Sequence, residues 1–436
     1  MTTDEMHALL ARKMQHQRPA MDTAGRFYEG SQPMAWIDPR IAYELRQRVK
    51  PLNVNLARLA VDTLASRLRV VGFRSRPGQV VDAELAATWQ RNGMDEQAHL
   101  AQLDALVYGR AYFMAWPGPD GLARITAESP FQVAVVRDPL TRQVMAALKR
   151  WLDPDGLVHA LLLTPLQVIE YASQRMPSLD PETTTPPLVL EDSGKVVRVE
   201  ANPLGLVPVV PLVHRPTLAN PDGESDLTDL MPLVDAIGKL GSDAMVTAEY
   251  AAIPRRWATG VNDGAGLTGD AARAIQEHWA NLPAARTVIT ANADARFGTF
   301  EQAELSNFVG AIQLLTSQVA AIASLPAWHV LATVGNPTSA DAIRASEYRM
   351  TTKAEQVQRT LSGPYEDLMR LARFIDTGTM DPDLSDLETL WADPAPATVA
   401  QTSDAMAKLV GAGIIDQRAA LESLDASPLD IERQLS

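Results

Sequence analysis

A long apolar stripe in the last third of the chain constrains the fold most. It steps by three, four or seven residues through Ile343, Met350, Ala354, Val357, Leu361, Tyr365, Leu368, Ala372 and Ile375. That spacing predicts one α-helix with a single apolar face. Thr338 and Ser339 offer N-cap oxygens ahead of it. Gly363-Pro364 predicts a kink, because proline removes a backbone hydrogen bond and clashes with the preceding turn. A stripe this long needs a large core to cover it.

Two more helices are predicted ahead of the stripe. Pro232 can occupy a first helical turn, and no further proline follows before residue 254. Lys239 lies four residues from both Asp235 and Asp243, a spacing that lets ion pairs form along one helix face. The second helix, residues 301–324, carries no charge after Glu304. Together with the stripe, these segments predict a helical second half.

The first half mixes helices with short strands. Residues 1–72 and 80–109 are predicted to be rich in helix. Pro208 and Pro211 should put the last strand at a sheet edge. Residues 176–194 are predicted to form a loop, 377–397 a linker, and 399–424 a small helical hairpin around 411–413. The predicted strands are 110–116, 122–126, 133–136, 144–151, 157–163, 195–200, 207–213 and 288–290. The fold class predicted is α+β, mainly helical.

The charge balance restricts the possible partners. The chain has 436 residues, with 53 Asp and Glu against 39 Lys and Arg, a net charge of −14. Tight wrapping of nucleic acid needs clustered basic residues, so this balance argues against it, although a channel that lets DNA slide is compatible. There is no cysteine, which excludes disulfides and thiolate metal sites and favours cytosolic assembly. Met1 to Arg18 lacks the apolar core of a secretory signal.

One uncharged stretch raises the question of a membrane span. From Leu305 to Ala340 there is no Asp, Glu, Lys or Arg. Polar residues such as Gln313 and Ser317 interrupt it, and Pro326 breaks it, whereas a spanning helix wants about 20 predominantly apolar residues. A buried subunit-contact helix followed by a neutral loop is favoured over a membrane helix.

Catalytic and metal-binding motifs are missing from the sequence. It has no phosphate loop of the GxxxxGK[ST] type, no HExxH and no GxSxG. The seven histidines do not pair at metal-ligand spacing. Scattered carboxylates could still meet in the fold, which leaves a hydrolase open. The prediction is no enzyme, no cofactor and no metal.

Two short segments are candidates for contacts with partners. Trp328 and His329 could touch DNA or a ligand, but core or subunit packing is at least as compatible with such an amphipathic pair. Arg255, Arg256 and Trp257 could form a docking patch. A solvated pair of arginines at a helix end is an equal alternative.

Several ordered segments resemble the portal (connector) family of long-tailed double-stranded DNA phages, in its actinobacteriophage form. The resemblance covers roughly residues 25–375, and the region after residue 395 matches least. The segments are Phe27–Gly30, Leu68–Phe73, Tyr108–Tyr112, Asn202–Gly205, Val207–Leu212, His214–Pro216, Gly223, Ser225, Asp226, Leu230–Ala236, Ser324–Pro326 and Asn336–Arg344.

The resemblance implies a particular division of the chain. The wing would be 1–225, the first stem helix 226–252, the clip 253–300, the second stem helix 301–324, the tunnel loop 325–338, the long kinked wing helix with its linker 339–394, and the crown 395–436. Arg255, Arg256 and Trp257 would then lie in the clip and meet partners, and Gly363 and Pro364 would kink the long helix. The residues expected to face DNA from the tunnel loop are Trp328, His329, Thr333, Asn336 and Thr338.

The resemblance also implies a function. The chain would be one subunit of a homo-oligomeric ring, a dodecamer, at the capsid vertex of the virion, assembled in the host cytoplasm. Double-stranded DNA would pass through the ring during packaging and ejection, and the ATPase would belong to the terminase. Further partners would be the head-tail adaptor and the major capsid and scaffolding proteins, with no membrane.

We add the hypothesis that the uncharged tunnel loop is a low-friction collar, because lysines and arginines there would bind phosphates and make DNA motion salt-dependent. Two alternatives stay open. One is a structural capsid or tail ring component that never meets DNA, and the other is an enzyme with converging carboxylates.

Overall fold

A computed structural model describes residues 2–33, 53–75, 82–173, 195–252, 256–259, 273, 296–299, 305–330, 340–395, 399–417 and 420. The chain divides into two compact units. Unit 1 comprises Met1–Gln32, Asn55–Met231 and Ala320–Ser436, and unit 2 comprises Pro33–Val54 and Pro232–Val319. Unit 1 therefore draws on both ends of the chain, and unit 2 is made of two segments inserted into it.

The described residues contain α-helices and antiparallel strands, which confirms the predicted α+β class. The helices are α1 (Thr3–Glu29), α2 (Leu56–Ala65), α3 (Ala83–Arg91), α4 (Met94–Tyr108), α5 (Met231–Ala252), α6 (Ser306–Ala323), α7 (Ala340–Thr377) and α8 (Val399–Gly411). The strands are β1 (Val70–Arg74), β2 (Arg110–Pro117), β3 (Ala123–Glu128), β4 (Val133–Arg137), β5 (Val144–Leu152), β6 (Val158–Leu163), β7 (Gln167–Ala172), β8 (Lys195–Ala201), β9 (Val209–Val213), β10 (Arg256–Thr259), β11 (Arg296–Thr299) and β12 (Glu388–Trp391).

Helix α1 begins and ends with strong local signals. The Thr2 side chain accepts a hydrogen bond from the Glu5 backbone N–H, and the Glu5 carboxylate accepts one from the Thr2 backbone. This capping box satisfies backbone donors that the first helical turn leaves open. Gly30 ends the helix with φ of 73°, in the left-handed region that favours glycine. Such signals are readable from the sequence.

Two sheets form the centre of unit 1. The first has the strand order β3-β2-β9, so β9 lies at an edge, as its prolines predicted. The second is a five-stranded meander, β4-β5-β6-β7-β8. The meander was predicted, but its strand β7 was not recognised as a separate strand. The predicted loop 176–194 and the predicted strand 288–290 lie outside the described residues.

Alternate residues of the five-stranded sheet face two different layers. On one face, Leu10 and Met14 of α1 pack against residues such as Ala134 and Leu148. On the other face, Val133 and Val135 pack against Tyr112 and Val209 of the three-stranded sheet. This alternation follows from the two-residue period of a strand. Unit 1 thus contains a helix, a sheet and a second sheet in successive layers.

An aromatic cluster joins the three-stranded sheet to α7. The Tyr365 ring lies 5.5 Å from Phe113 of β2, 5.9 Å from Trp89 of α3 and 5.6 Å from Trp391 of β12. The Tyr365 hydroxyl accepts a hydrogen bond of 2.9 Å from Gln102 Nε2. Burial raises the pKa of Tyr365 well above its usual range. From Met350 to Ile375 the predicted stripe of α7 is buried, as the sequence indicated, and the side chain of Ile343 lies outside the described residues.

The prediction of a plain linker over 377–397 is wrong. Residues Pro382–Leu384 form a 3₁₀ turn, and β12 pairs antiparallel with β1. Phe73 lies opposite Thr389 in this pair, and Arg74 lies opposite Glu388. Because β1 is more than 300 positions away along the chain, no local sequence pattern predicts β12. Tertiary context has overridden a Pro- and Asp-rich sequence here.

In unit 2, the described residues include most of α5 and α6 and the strand pair β10-β11. Helix α5 spans Met231–Ala252, which confirms the helix predicted from Pro232 onward. Residues 226–230, which the resemblance placed with the first stem helix, form turns. Val234 and Ile237 are buried on its apolar side. The predicted pair on another face is present, with Lys239 Nζ 2.5 Å from the Asp243 carboxylate.

Helix α6 is apolar and largely exposed. Val309 is 54% exposed and Leu314 61%. Within the described residues, α6 is one helix that is long and apolar enough to cross a membrane, judged by length and composition alone.

Candidate functional site

Segments that carry the family resemblance meet at one place in unit 1. The His214 backbone N–H donates to the Gly109 carbonyl at 2.9 Å, and the Glu224 N–H donates to the His214 carbonyl at 3.0 Å. The Asp226 N–H donates to the Leu106 carbonyl at 2.9 Å. We call residues 106–110, 214 and 223–226 the motif junction. It ties the end of α4 and the end of β9 to the segment that leads into α5.

Two glycines are required by the close approach of backbones at the junction. Gly109 has φ of +85°, and a Cβ there would lie 2.8 Å from the carbonyl carbon of Glu224. Gly223 has φ of +78°, and its Cβ would lie 2.3 Å from the His214 carbonyl oxygen. Any side chain would meet both backbone strain and a steric clash at these positions.

A buried charged group lies at the centre of the junction. Asp226 is 5% exposed and His214 is 2% exposed. Asp226 Oδ1 accepts from His214 Nε2 at 3.2 Å, and Asp226 Oδ2 accepts from Lys353 Nζ of α7 at 2.7 Å. Burial opposes ionisation of the carboxyl, but the His214 hydrogen bond and the Lys353 charge outweigh it, so the pKa of Asp226 lies well below its usual range.

The junction has a mechanical role in the fold. It lies directly before α5, and Leu227 and Leu230, in the short segment between them, are fully buried. The backbone bonds, the glycines and the Asp226 ion pair together fix where the chain leaves unit 1. From the sequence, His214, Gly223 and Asp226 were recognised only as parts of family motifs. Lys353 was not predicted as a partner of Asp226, because residues 127 positions apart give no local signal.

Trp328 and His329 lie in a 3₁₀ turn shortly after α6. Both side chains are half-buried, and their rings meet edge to face at 4.0 Å. The Trp328 indole N–H lies 3.4 Å from Ser346 Oγ of α7, and burial lowers the pKa of His329. Packing against α7 thus accounts for part of this pair, and a role in facing DNA stays a prediction.

A buried ion pair supports the helix beside this turn. Arg67 Nη2 lies 2.7 Å from Glu347 Oε2, with 14% and 6% of the two side chains exposed. Arg67 also donates from Nη1 to the Pro394 carbonyl at 2.9 Å. Glu347 and Arg67 are charges that act on His329. The start of the predicted tunnel loop therefore lies against the part of α7 that this ion pair joins to Arg67.

Other predicted site residues are only partly visible. Thr333, Asn336, Thr338 and Arg255 lie outside the described residues, as do the N-cap candidates 338–339. The backbone of Arg256 and Trp257 belongs to β10, where they pair with Thr299 and Gly298 of β11. A docking role for this segment stays a prediction.

Gly363 and Pro364 lie inside α7, which is assigned as one helix from Ala340 to Thr377. Side chains of β12 bond the helix at this point. The Trp391 indole N–H donates to Ser362 Oγ at 2.8 Å, and Thr389 Oγ1 donates to the Ser362 carbonyl at 3.2 Å. These bonds are made to the hydroxyl and the carbonyl of Ser362, two residues before Pro364, which has no backbone N–H to donate. The bend angle of the helix stays a prediction.

Among the described residues, no group of three or more His, Asp or Glu side chains could hold a metal ion. The features that the structure does bring together are backbone clamps and buried ion pairs. Fold and site thus define an α+β protein in which motif residues fix the geometry of the chain.

Comparison with known proteins identifies the family. A family model described as phage portal protein, SPP1 Gp6-like, matches residues 7–426. The portal protein of Mycobacterium phage L5 is 30% identical over 402 residues, covering 89% of this chain and 78% of that protein. That of Mycobacterium phage D29 is 31% identical over 376 residues, covering 83% and 73%. The chain belongs to this phage portal protein family, as the sequence motifs predicted.

Two solved structures also resemble the chain. One is from the neck of an empty gene transfer agent particle with C6 symmetry, with 12% identity, a TM-score of 0.49, and coverage of 91% of this chain and 96% of the other. The second is from the neck of the native particle with C12 symmetry, with 14% identity, a TM-score of 0.48, and coverage of 89% and 94%. The family assignment rests on the sequence relatives. Proteins of this family are structural and sit at the capsid vertex of the virion.

Proposed function

We propose that this portal protein assembles into a twelve-subunit ring, built in the host cytoplasm, that double-stranded DNA crosses during packaging and ejection. The observation that carries the proposal is the family match over residues 7–426. The terminase, the head-tail adaptor and the capsid and scaffolding proteins would dock on the ring. The chain itself would supply neither catalysis nor a cofactor.

The proposed parts of the subunit keep the boundaries that the resemblance implied. Residues 1–225 and 339–394 would form the wing, and these residues belong to unit 1 except for Pro33–Val54. Helices α5 and α6 would form the stem, with the clip at 253–300 between them. The crown would be 395–436. The motif junction would then hold the root of the first stem helix.

Helix α6 supports assembly through its exposed apolar residues. Val309, Leu314 and Ile322 are between 46% and 61% exposed, and the helix has no charged residue. Exposed apolar surface of this kind is commonly an interaction site. In the proposed ring, neighbouring subunits cover this helix.

The tunnel loop would act as a low-friction collar. Residues 325–338 carry no formal charge apart from any protonation of His329, and burial lowers the pKa of that group. A neutral loop releases no counterions from DNA, so sliding stays weakly dependent on salt. Thr333, Asn336 and Thr338 would make the weak polar contacts, and the Trp328 turn would anchor the loop.

The test of the ring is cryo-electron microscopy of the purified full-length protein. We expect rings of about twelve subunits with a central hole wide enough for a duplex. A ring without such a hole would leave a structural component that never meets DNA. Monomers or dimers with a closed core at high concentration would overturn the proposal.

The collar is tested by adding charge to it. Asn336→Arg should slow packaging and make its rate fall as salt is lowered, because each new arginine binds phosphate. Leu218→Arg, at a surface position that is 93% exposed, is the matched control and should leave the rate unchanged. Equal packaging rates for both variants at low salt would refute the collar.

A further inference from the structure

Arg110 is a buried arginine whose side chain has no partner among the described residues. It is 8% exposed, and its Nε and Nη1 atoms are shielded from solvent without a hydrogen bond. Across the described residues its side chain forms no hydrogen bond or ion pair. A buried guanidinium is costly unless an anion pairs with it. Arg110 therefore points to a missing acceptor.

Among the described residues, the carboxylates near Arg110 are already engaged by other groups. Arg110 and Tyr112 lie on the face of β2 that turns toward the five-stranded sheet. Asp222 engages Lys13 Nζ at 2.7 Å through Oδ1 and Gln17 Nε2 at 3.0 Å through Oδ2. Both oxygens of that carboxylate are thus occupied.

The second nearby carboxylate is also engaged. Glu128 lies opposite Tyr112 in the sheet, and its Oε1 accepts from Lys149 Nζ at 2.5 Å and from Thr126 Oγ1 at 2.7 Å. Its carboxylate therefore already has a cation of its own.

A second arginine adds to the positive charge. Arg137, the last residue of β4, is half-buried and has no hydrogen bond or ion pair from its side chain to the described residues. Burial raises the pKa of Tyr112 to about 12, opposed by Arg110 and Arg137, so both arginines act on the same hydroxyl. We call Arg110 and Arg137 the arginine recess. Asp222 and Glu128 already pair with Lys13 and Lys149, so the two arginines of the recess are additional positive charges.

We propose that the arginine recess receives a carboxylate side chain from a second copy of this chain, an inference that rests on the proposed ring. Only a slender group can reach a residue that is 8% exposed, which disfavours the bulky backbone of duplex DNA. Each copy has 53 carboxylate side chains against 39 Lys and Arg, so a neighbour has carboxylates to spare. Pairing across the interface supplies the acceptor that Arg110 lacks.

The first experiment compares ring stability with subunit stability in the full-length protein. Arg110→Met keeps the volume and removes the charge. Ring dissociation on dilution, measured by mass photometry, should begin at a subunit concentration about 10- to 100-fold higher than in the wild type. The thermal midpoint of dissociated subunits should rise, because a buried unpaired charge is gone. Arg124→Met, which breaks an exposed pair with Asp120, is the control and should change neither.

The outcomes separate the possible acceptors. A lower midpoint of dissociated Arg110→Met subunits would indicate a partner inside the chain and overturn the inference. Unchanged rings that lose DNA retention would indicate phosphate as the acceptor, which also overturns it. A wild type that forms no rings would refute the proposed function before Arg110 is tested.

The second experiment identifies the carboxylate. Arg110→Lys places an amine at the recess, and a carbodiimide joins an amine to a contacting carboxylate as an amide with loss of water. Rings mixed from ¹⁴N- and ¹⁵N-labelled copies should yield cross-linked peptides with one light and one heavy partner. Cross-links through residue 110 that join only peptides of equal label would overturn the proposal.

Discussion

Replacing Asp226 by asparagine should destabilise unit 1 strongly. The carboxylate is 5% exposed and accepts from both His214 and Lys353. Removal of its charge leaves Lys353 beside a neutral group in a buried setting. Breaking a buried pair on one side costs about 3–5 kcal/mol of unfolding free energy. We expect a loss of that size at pH 7.

The loss should depend on pH in a defined direction. Because the pKa of Asp226 is depressed in the folded state, its contribution to stability is present above the unfolded value of about 3.9. The contribution disappears as the pH falls from there through the folded pKa. The difference in unfolding free energy between the wild type and Asp226→Asn should therefore shrink below about pH 4.

The measurement is urea unfolding followed by tryptophan fluorescence at fixed protein concentration, since assembly makes stability depend on concentration. Lys353→Met and the double variant complete a double-mutant cycle. Asp229→Asn is the matched control, because Asp229 pairs with Arg215 in an ion pair that is about half exposed. Its effect should stay below about 1 kcal/mol.

Two results would refute this reasoning. One is a change below about 1 kcal/mol for Asp226→Asn at pH 7, which would mean that the ion pair is not stabilising. The other is a coupling energy below about 0.5 kcal/mol between positions 226 and 353, which would mean that the two groups act independently.

Three further changes test other parts of unit 1. Gly223→Ala should lower the free energy of unfolding in urea by more than about 3 kcal/mol, because its Cβ would lie 2.3 Å from the His214 carbonyl oxygen. Gly121→Ala, at the same φ of +78° but with open space around the Cβ, should lower it by about 1 kcal/mol. Equal losses for the two variants would contradict the steric clash. Burial raises the pKa of Asp104 to about 6, which means that the fold favours the neutral carboxyl, and stability is lost as the pH rises through that value. Asp104→Asn should therefore raise the free energy of unfolding by about 1–3 kcal/mol at pH 8 and leave it unchanged at pH 3.5. Tyr365→Phe should lower the unfolding free energy by about 1–3 kcal/mol, because it strands a buried amide, and an unchanged urea midpoint would show that water replaces the hydroxyl.

Local signals predicted much of the fold. Helix α4 ends at Tyr108 and the next strand begins at Arg110, as the glycine between them indicated. Pro211 in β9 and Pro208 just before it correctly marked an edge strand. The apolar spacing of α7 identified its buried face. In each case the deciding physics, a backbone angle or a helical period, lies within a few residues of the signal.

Long-range features were not predictable in the same way. Strand β12 exists because β1 offers it a partner, and its own sequence resembles a linker. Lys353 gave no sign of pairing with Asp226, because a lysine on a helix is ordinarily solvated. The sequence shows Arg110 only as part of a motif, and its burial becomes apparent only in the folded chain. These features depend on which distant segments meet, and a single sequence does not encode that in a readable local pattern.

The pairing of β1 with β12 has a consequence for synthesis of the protein. Strand β1 leaves the ribosome roughly 300 residues before its partner, which at about 5–20 residues per second is a delay of about 15–60 s. During that time Trp89 and Phe113 also lack their packing contact with the Tyr365 ring. The nascent chain must therefore keep an unfinished, aromatic-rich surface from aggregating. A ribosome that stops after residue 337 releases a chain in which Trp89 and Phe113 lack the Tyr365 ring that packs on them, and β1 lacks its partner strand.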